Sequence, residues 1–266
     1  MIEFLFFVIG ACFGSFANVC IYRLPRKKSI VAPSSFCPKC RKPLLWYDNI
    51  PILSYLILGG KCRFCGKTIN IRYLVVELLM GLFSALLYEK LLAQGLVCTF
   101  IAYFIFILAV VITSGIDWET FLIPDVIVIP GILFGIVAAT VCPNFFFFST
   151  FEQGPMLRFI YSLGGAIGGA VVIGLLALLG RVVWKKDAMG GGDIKLLAMI
   201  GAFLGWKSIF LAIFFGSLIG TVFSIALIAF KKKKWEDYVP FGPYLSLGAI
   251  IALFWKGCSF LGMYIP

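Results

Sequence analysis

Histidine is missing from all 266 residues of this chain, and acidic residues number only 12 against 23 basic ones. The absence of histidine excludes Ser-His and Cys-His catalytic arrangements, the H-E-x-x-H zinc protease motif and any imidazole general base. Proton transfers in this chain must therefore use carboxylates, lysine, tyrosine, cysteine or water.

Charge of either sign is also scarce. Charged residues make up 13% of the chain, hydrophobic residues make up 62%, and the mean hydropathy is +1.05. This composition excludes an ordinary soluble domain, and apolar stretches of about 20 residues, enough for a helix to cross a bilayer, recur along the chain. We predict an all-α polytopic membrane protein with about eight transmembrane helices, at 2–22, 73–93, 96–113, 122–141, 157–183, 194–204, 209–230 and 239–260. The stretch 194–204 is short, and we expect it to cross as a short or tilted helix.

The basic residues are clustered rather than spread. Eleven lysines and arginines lie between Arg23 and Arg72, and further groups lie at 181–186 and 231–234. This distribution follows the positive-inside rule and does not indicate nucleic-acid binding. We therefore expect these loops to be cytoplasmic, with the lysine run at 231–234 also binding anionic membrane lipid.

Three regions follow from this pattern. Residues 1–22 form a first transmembrane helix, residues 23–72 form a cytoplasmic loop domain, and residues 73–266 form a membrane core of about seven helices. A loop of about 50 residues cannot bury much of a core, so we expect a staple such as a metal ion.

Two C-x-x-C pairs in the loop can supply that staple. Cys37 and Cys40 form the first pair, and Cys62 and Cys65 form the second. This spacing is typical of a four-thiolate zinc site, which leaves no open coordination position and is therefore structural. The alternative is a pair of disulfides, which are rare in a reducing cytoplasm.

Two aspartates lie where predicted spans meet the cytoplasmic face. Asp117 ends the third span and Asp193 precedes the sixth, so both have the same depth on the same side. Ionisable groups at that depth are costly and are functional by default. Two adjacent carboxylates share a proton, so that one can activate water while the other donates a proton to the developing oxyanion. The pair therefore favours aspartic-protease chemistry.

The competing interpretation is structural, because aspartate is a preferred helix N-cap. For Asp125, which follows a proline and precedes an apolar run, we favour capping or support of the site. For Asp193 we favour catalysis, since a cap would not require Gly190, Gly191 and Gly192, which loosen the helix start and let another backbone approach. Lys195 is near Asp193 in sequence, but at i, i+2 it points elsewhere on a helix.

Several motifs occur in a characteristic order: "GSFANVCIYRLP", the two C-x-x-C pairs, "DNIPILSYL", "RYLVVEL", "IDWETFLIPD", "MGGGDIKLLA" and "PFGPYLSLGA". Together they span Gly14 to Gly248, and the chain resembles the bacterial type IV prepilin peptidases, membrane aspartic proteases of the G-x-G-D class. Leu74 departs from the family's usual proline, and Gly191 fills the free position of G-x-G-D.

The resemblance implies an enzyme of the bacterial inner membrane with its active site facing the cytoplasm. Asp117 and Asp193 match the family's two catalytic aspartates, which cut prepilins and pseudopilins after a glycine that follows a short basic leader. Many members with the tetracysteine loop also methylate the new N-terminal amine with S-adenosylmethionine, so the resemblance implies both activities for this chain. Methyl transfer rests on the loop alone, since the chain has no soluble-type nucleotide-binding glycine motif.

Two further expectations concern ligands. A helical peptide bond is screened from attack, and Gly190, Gly191 and Gly192 give room for an extended segment of substrate beside Asp193. Glu77, inside the second span, is either the partner of a basic group or part of the methyl-transfer pocket.

Two rival functions remain. A transporter or channel would use Asp117 and Asp193 as an ion or proton relay, but transporter sites lie near the bilayer midplane between broken helices. A methyltransferase alone would keep all of its activity in the Asp193→Asn variant.

Overall fold

The computed structural model describes residues 1–146, 154–184, 190–230 and 239–255. Nine α-helices lie in these ranges, and none of the described residues forms a strand longer than an isolated bridge. The helices are α1 (Ile2–Arg23), α2 (Leu53–Ile57), α3 (Arg72–Lys90), α4 (Val97–Thr120), α5 (Asp125–Val141), α6 (Pro155–Trp184), α7 (Gly191–Leu204), α8 (Trp206–Ala229) and α9 (Gly242–Trp255). The all-α prediction is confirmed. The lysine run at 231–234 lies outside the described residues.

Four helical segments of the described chain are long and apolar enough to cross a membrane: Ile2–Arg26, Val97–Thr120, Pro155–Val182 and Trp206–Ala229. Asp125–Val141 and Gly242–Trp255 are shorter apolar helices. These helices confirm the polytopic class. Helix α7 has 14 residues, so its length is about 21 Å against a hydrocarbon core of about 30 Å. The helix at 194–204 is therefore as short as predicted, whereas its crossing of the membrane and the total of eight crossings stay predictions.

The outer surfaces of the long helices are apolar. On α6, for example, four side chains near the C-terminal end are more than half exposed: Leu175 (55%), Leu178 (57%), Leu179 (56%) and Val182 (68%). A soluble protein rarely exposes such a contiguous apolar surface, which indicates contact with lipid.

Contacts divide the chain into two compact units, Met1–Gly115 and Ile116–Pro266. In the first unit α1 packs along α3, and Gly10 and Gly14 of α1 form a G-x-x-x-G pair on the packed face. A side chain at Gly14 would lie 2.7 Å from the Glu77 Cα atom, so only glycine allows this approach. This packing places Glu77 against α1.

The loop at 23–72 belongs to the first unit and has little regular structure apart from α2 and two 3₁₀ turns. Arg23 at the end of α1 is 4% exposed and donates hydrogen bonds to the carbonyls of Ser29, Pro33 and Ser34. The arginine thereby ties the start of the loop to α1. The boundaries predicted at 22 and 72 stay a prediction.

Helix α7 is the most buried element of the second unit. Every residue from Leu196 to Leu204 is buried, with α5 and α6 packed against it. Gly165 and Gly169 of α6 lie directly against the backbone of α7, another small-residue contact of the kind that joins membrane helices. The segment of α7 that follows Asp193 is therefore closely packed between α5 and α6.

Candidate active site and tetracysteine cluster

The four cysteines of the loop form one cluster. The Sγ atoms of Cys37, Cys40, Cys62 and Cys65 all lie within 4.8 Å of one another, and the Cys37 and Cys65 sulfurs are 4.0 Å apart. A tetrahedral zinc site with Zn–S bonds of about 2.3 Å requires sulfurs about 3.8 Å apart. The cluster therefore has the ligand set and spacing for a metal ion.

The two C-x-x-C turns of the cluster have the same pattern of backbone hydrogen bonds. Cys37 N donates to Lys42 O and Arg41 N donates to Cys37 O, at 3.0 and 2.8 Å. In the second half Cys62 N donates to Lys67 O and Gly66 N donates to Cys62 O, both at 2.9 Å. Each turn thus presents two sulfurs in the same direction.

Backbone hydrogen bonds within this cluster favour a thiolate at Cys62. The backbone N–H of Cys65 lowers the pKa of Cys62 to about 7, and the N–H of Phe64 acts in the same direction. The N–H of Lys67 lowers the pKa of Cys65, but burial and the neighbouring thiols raise it by more, to about 11. The opposite shifts of Cys62 and Cys65 are those expected of two crowded thiols, in which a thiolate at one disfavours a second thiolate unless a cation is present.

Asp117 lies in the last turn of α4 and is 5% exposed. Its Oδ2 atom accepts a 3.0 Å hydrogen bond from the backbone N–H of Gly242, in the first turn of α9. The first N–H groups of a helix have no partner within the helix and carry its positive dipole end. The start of α9 is therefore a natural donor to a carboxylate.

Asp193 lies in the first turn of α7 and is 8% exposed. Its Oδ2 atom accepts a 3.3 Å hydrogen bond from the N–H of Gly190, which is the N-cap residue. The carboxyl groups of Asp193 and Asp117 are close enough to interact electrostatically. Asp193 therefore takes part in capping α7, which is the structural role that the sequence analysis weighed against catalysis. Its carboxyl group also interacts with that of Asp117.

The three glycines before Asp193 have different surroundings. A Cβ atom at Gly192 would lie 2.8 Å from the Cβ of Ile123, so the loop before α5 needs glycine at this position. A Cβ at Gly191 would meet no atom within 4 Å among the described residues, and one at Gly190 would touch only Asp193 and Gly192. Gly192 is therefore required for close packing against Ile123, whereas no described atom lies near the side-chain position of Gly191.

Asp125 and Lys195 bind one another. Asp125 is the first residue of α5 rather than its N-cap, which is Pro124. Lys195 Nζ lies 2.7 and 2.9 Å from the two carboxylate oxygens of Asp125, and both side chains are about half exposed. This ion pair joins the first turns of α5 and α7, and Lys195 is directed toward Asp125 rather than Asp193.

Glu77 on α3 is 7% exposed. Its Oε2 atom accepts a 2.8 Å hydrogen bond from the N–H of Ile52, and it also bonds the Ser15 side chain. In the described part of the chain no basic side chain forms an ion pair with it, so the first of the two roles considered for Glu77 finds no support.

Gly242 is the site residue that the sequence analysis missed. The segment "PFGPY" lies at the start of the predicted span 239–260 and contains no acidic or basic side chain that would mark it as part of a site. Pro240 and Pro243 have no N–H, so the segment 240–243 has only two backbone donors, Phe241 and Gly242. That pattern is a usable signal for an anion-binding helix start, but its partner, Asp117, is 125 residues away in sequence.

The helices, the buried aspartate pair and the tetracysteine cluster together define a polytopic membrane protein with a carboxylate-pair site. Two family models match the chain: the bacterial peptidase A24 N-terminal domain over residues 8–91 and the type IV leader peptidase family over residues 103–225.

Curated relatives agree with the family models. A prepilin leader peptidase/N-methyltransferase of Aeromonas salmonicida is 31% identical over 94% of this chain and 90% of its own length. Proteins with the same name from Vibrio cholerae and Myxococcus xanthus are 31% and 37% identical over 94% and 84% of this chain. The chain spans 95% of the Vibrio protein but 62% of the Myxococcus protein. No solved structure matches the chain. The chain belongs to the type IV leader peptidase family.

Proposed function

We infer that this protein is a membrane aspartic endopeptidase that removes the basic leader of type IV prepilins or pseudopilins and then methylates the new N-terminal residue. The observation that supports cleavage most directly is that two buried carboxyl groups, Asp117 at the end of α4 and Asp193 at the start of α7, lie close enough to interact electrostatically. The names of the relatives support the combination of both activities.

In the proposed reaction the two aspartates share one proton. The ionised carboxylate takes a proton from water as the water oxygen attacks the scissile carbonyl, and the protonated partner donates to the developing oxyanion. Gly242 and Gly190 each donate one N–H to one of the two acids, which fixes their orientation without adding a competing acid. Peptide hydrolysis then needs no histidine.

The substrate enters as an extended segment beside α7. The open space at Gly191 supports this proposal, because a backbone can approach there without meeting a side chain. The ion pair of Asp125 and Lys195 supports the site from outside by holding the starts of α5 and α7 together.

The tetracysteine cluster holds a structural zinc ion in this proposal. Four thiolates complete a tetrahedral site and leave no position for a substrate, so the metal would order the loop at 23–72 rather than take part in chemistry. The basic residues of this loop support the proposal that it lies on the cytoplasmic side of the bacterial inner membrane, and we propose that the peptidase site opens on the same side.

The test combines both activities in one assay. Purified enzyme in detergent is mixed with a prepilin and S-adenosylmethionine, and the product is followed by mass spectrometry. We expect loss of the leader, with cleavage after glycine, and then a mass gain of one methyl group. An intact prepilin would contradict the peptidase, and a cleaved product without the mass gain would contradict methyl transfer. A transporter that uses the same aspartates predicts neither product.

A further inference from the structure

The first unit contains a partly open cavity of about 460 Å³. Its walls come from α1, α3 and the loop between them, and its lining includes Asn18, Tyr22, Phe36, Tyr55 and Glu77. Cavities of about 300–1,000 Å³ with mainly apolar walls and a few placed polar groups are typical of small-molecule sites. The two aspartates of the peptidase site belong to the second unit and are not among the lining residues.

One wall of this cavity carries an unsatisfied acceptor. Asn18 is 1% exposed, and its Nδ2 atom donates to the carbonyls of Gly14 and Tyr73 at 3.3 and 3.1 Å. Its Oδ1 atom has no hydrogen-bond partner in the described parts of the chain. A buried acceptor without a donor costs free energy that a ligand N–H can recover.

The same cavity contains a buried negative group. Glu77 lines it and is held by the N–H of Ile52. Ile52 has φ +64° and ψ −56°, a conformation that β-branched residues rarely adopt. Strained backbone of this kind persists where the surroundings fix it and is concentrated at ligand sites. The carboxylate therefore has a fixed position at which a cation can bind.

We propose that this cavity binds S-adenosylmethionine, with Glu77 facing its positively charged sulfur and Asn18 Oδ1 accepting a hydrogen bond from one of its N–H groups. The inference rests on the methyl-transfer half of the proposed function. It assigns that half to the first unit, which contains the match to the N-terminal domain model at residues 8–91. Tyr22 and Phe36 offer flat apolar surface for the adenine ring.

The change in charge of the methyl donor during the reaction explains why a buried carboxylate suits this cavity. The bound donor supplies a methyl group on a sulfonium. The lone pair of the N-terminal amine forms the new N–C bond, the C–S bond breaks, and its electron pair stays on sulfur, which becomes neutral. The amine first loses a proton to water, since an α-amino group has a pKa of about 7.7–8.0. Glu77 therefore attracts the donor before transfer and releases the neutral product after it.

Calorimetric binding to the full-length enzyme in detergent tests this assignment without using activity. Wild type should bind S-adenosylmethionine more tightly than S-adenosylhomocysteine, which lacks the sulfonium charge. Glu77→Gln should reduce that preference on the order of tenfold, and Asn18→Ala should weaken both ligands on the order of tenfold. Glu89→Gln, an exposed carboxylate change on the same helix, should bind both ligands as wild type does. Unchanged binding in both cavity variants would overturn the proposal.

A mapping experiment covers the case in which a variant fails to fold. Ultraviolet cross-linking of radiolabelled S-adenosylmethionine to wild-type enzyme, followed by peptide mapping, should label peptides that contain cavity residues of α1, α3 or the loop. Label only in peptides after residue 116 would overturn the cavity while leaving the proposed methyl transfer intact. An enzyme that neither binds the donor nor methylates would overturn both.

Discussion

The backbone N–H of Gly242 donates a hydrogen bond of 3.0 Å to the carboxylate of Asp117, which joins the first turn of α9 to the last turn of α4. A Cβ atom at residue 242 would lie 2.6 Å from Asp117 Oδ2, so a side chain there would have to displace the carboxylate. The position of one acid of the proposed dyad thus depends on a glycine that carries no chemistry of its own.

Gly242→Ala should therefore reduce leader cleavage on the order of 100-fold, because displacing a catalytic group by about 1 Å costs this much. The measurement is the rate of leader release under single-turnover conditions. Ser246→Ala, one turn further along α9 at another buried position, is the matched control and should cleave near the wild-type rate. Equal rates for Gly242→Ala and wild type would show that this hydrogen bond does not position Asp117.

Gly192 should be required for stability. A methyl group at this position would lie 2.8 Å from the Cβ of Ile123, and overpacking of this kind costs about 1–3 kcal/mol. Thermal unfolding in detergent should show a lower midpoint for Gly192→Ala. Ile123→Gly removes that Cβ atom, so Gly192→Ala should cost less stability in an Ile123→Gly background than in wild type, and an equal cost in both backgrounds would argue against this contact.

Gly191 should be required by the substrate rather than by the fold. Its position meets no described atom within 4 Å, so Gly191→Val should unfold at the wild-type temperature. If an extended substrate passes this position, the same variant should lose leader cleavage, mainly through a raised KM. Normal kinetics in Gly191→Val would reject the substrate path beside α7.

Loss of the zinc ion should increase protease cleavage specifically within the loop at 23–72. We expect one zinc ion per chain by elemental analysis and none in Cys62→Ser, with faster proteolysis inside the loop. Cys12, an exposed cysteine of α1, provides the control, since Cys12→Ser should keep the metal and the protease resistance. Retention of a full equivalent of zinc by Cys62→Ser would contradict a four-thiolate site.

The ion pair of Asp125 and Lys195 should contribute little energy. Both side chains are about half exposed, and such pairs contribute about 0–1 kcal/mol. Asp125→Asn and Lys195→Met should each lower stability by no more than about 1 kcal/mol, and the double variant should lose no more than the larger single loss. A loss of several kcal/mol in either variant would assign the pair a larger structural role.

Much of this architecture is visible in the sequence because its causes are local or regularly spaced. The apolar stretches predicted the helical membrane class, and the spacing of Cys37, Cys40, Cys62 and Cys65 predicted one cluster, because two short turns can bring four sulfurs together. Helix α7 was also expected to be short, since the apolar run ends at Leu204 before Gly205.

Contacts between distant segments could not be predicted in the same way. The pairing of Lys195 with Asp125 depends on the packing of α5 against α7, and the bond from Gly242 to Asp117 depends on where α9 begins in space. The cavity around Asn18 and Glu77 likewise forms only when α1 packs on α3 beneath the loop. The local sequence of each segment carries no information about these contacts with distant segments.

The most direct test of the account is the rate of leader release by Asp117→Asn, Asp193→Asn and the double variant. Residues that act as one unit have strongly non-additive effects, so each single change should lower cleavage nearly as far as both together. All three variants should still bind S-adenosylmethionine. Release of the leader at the wild-type rate by either single variant would contradict a catalytic dyad formed by Asp117 and Asp193.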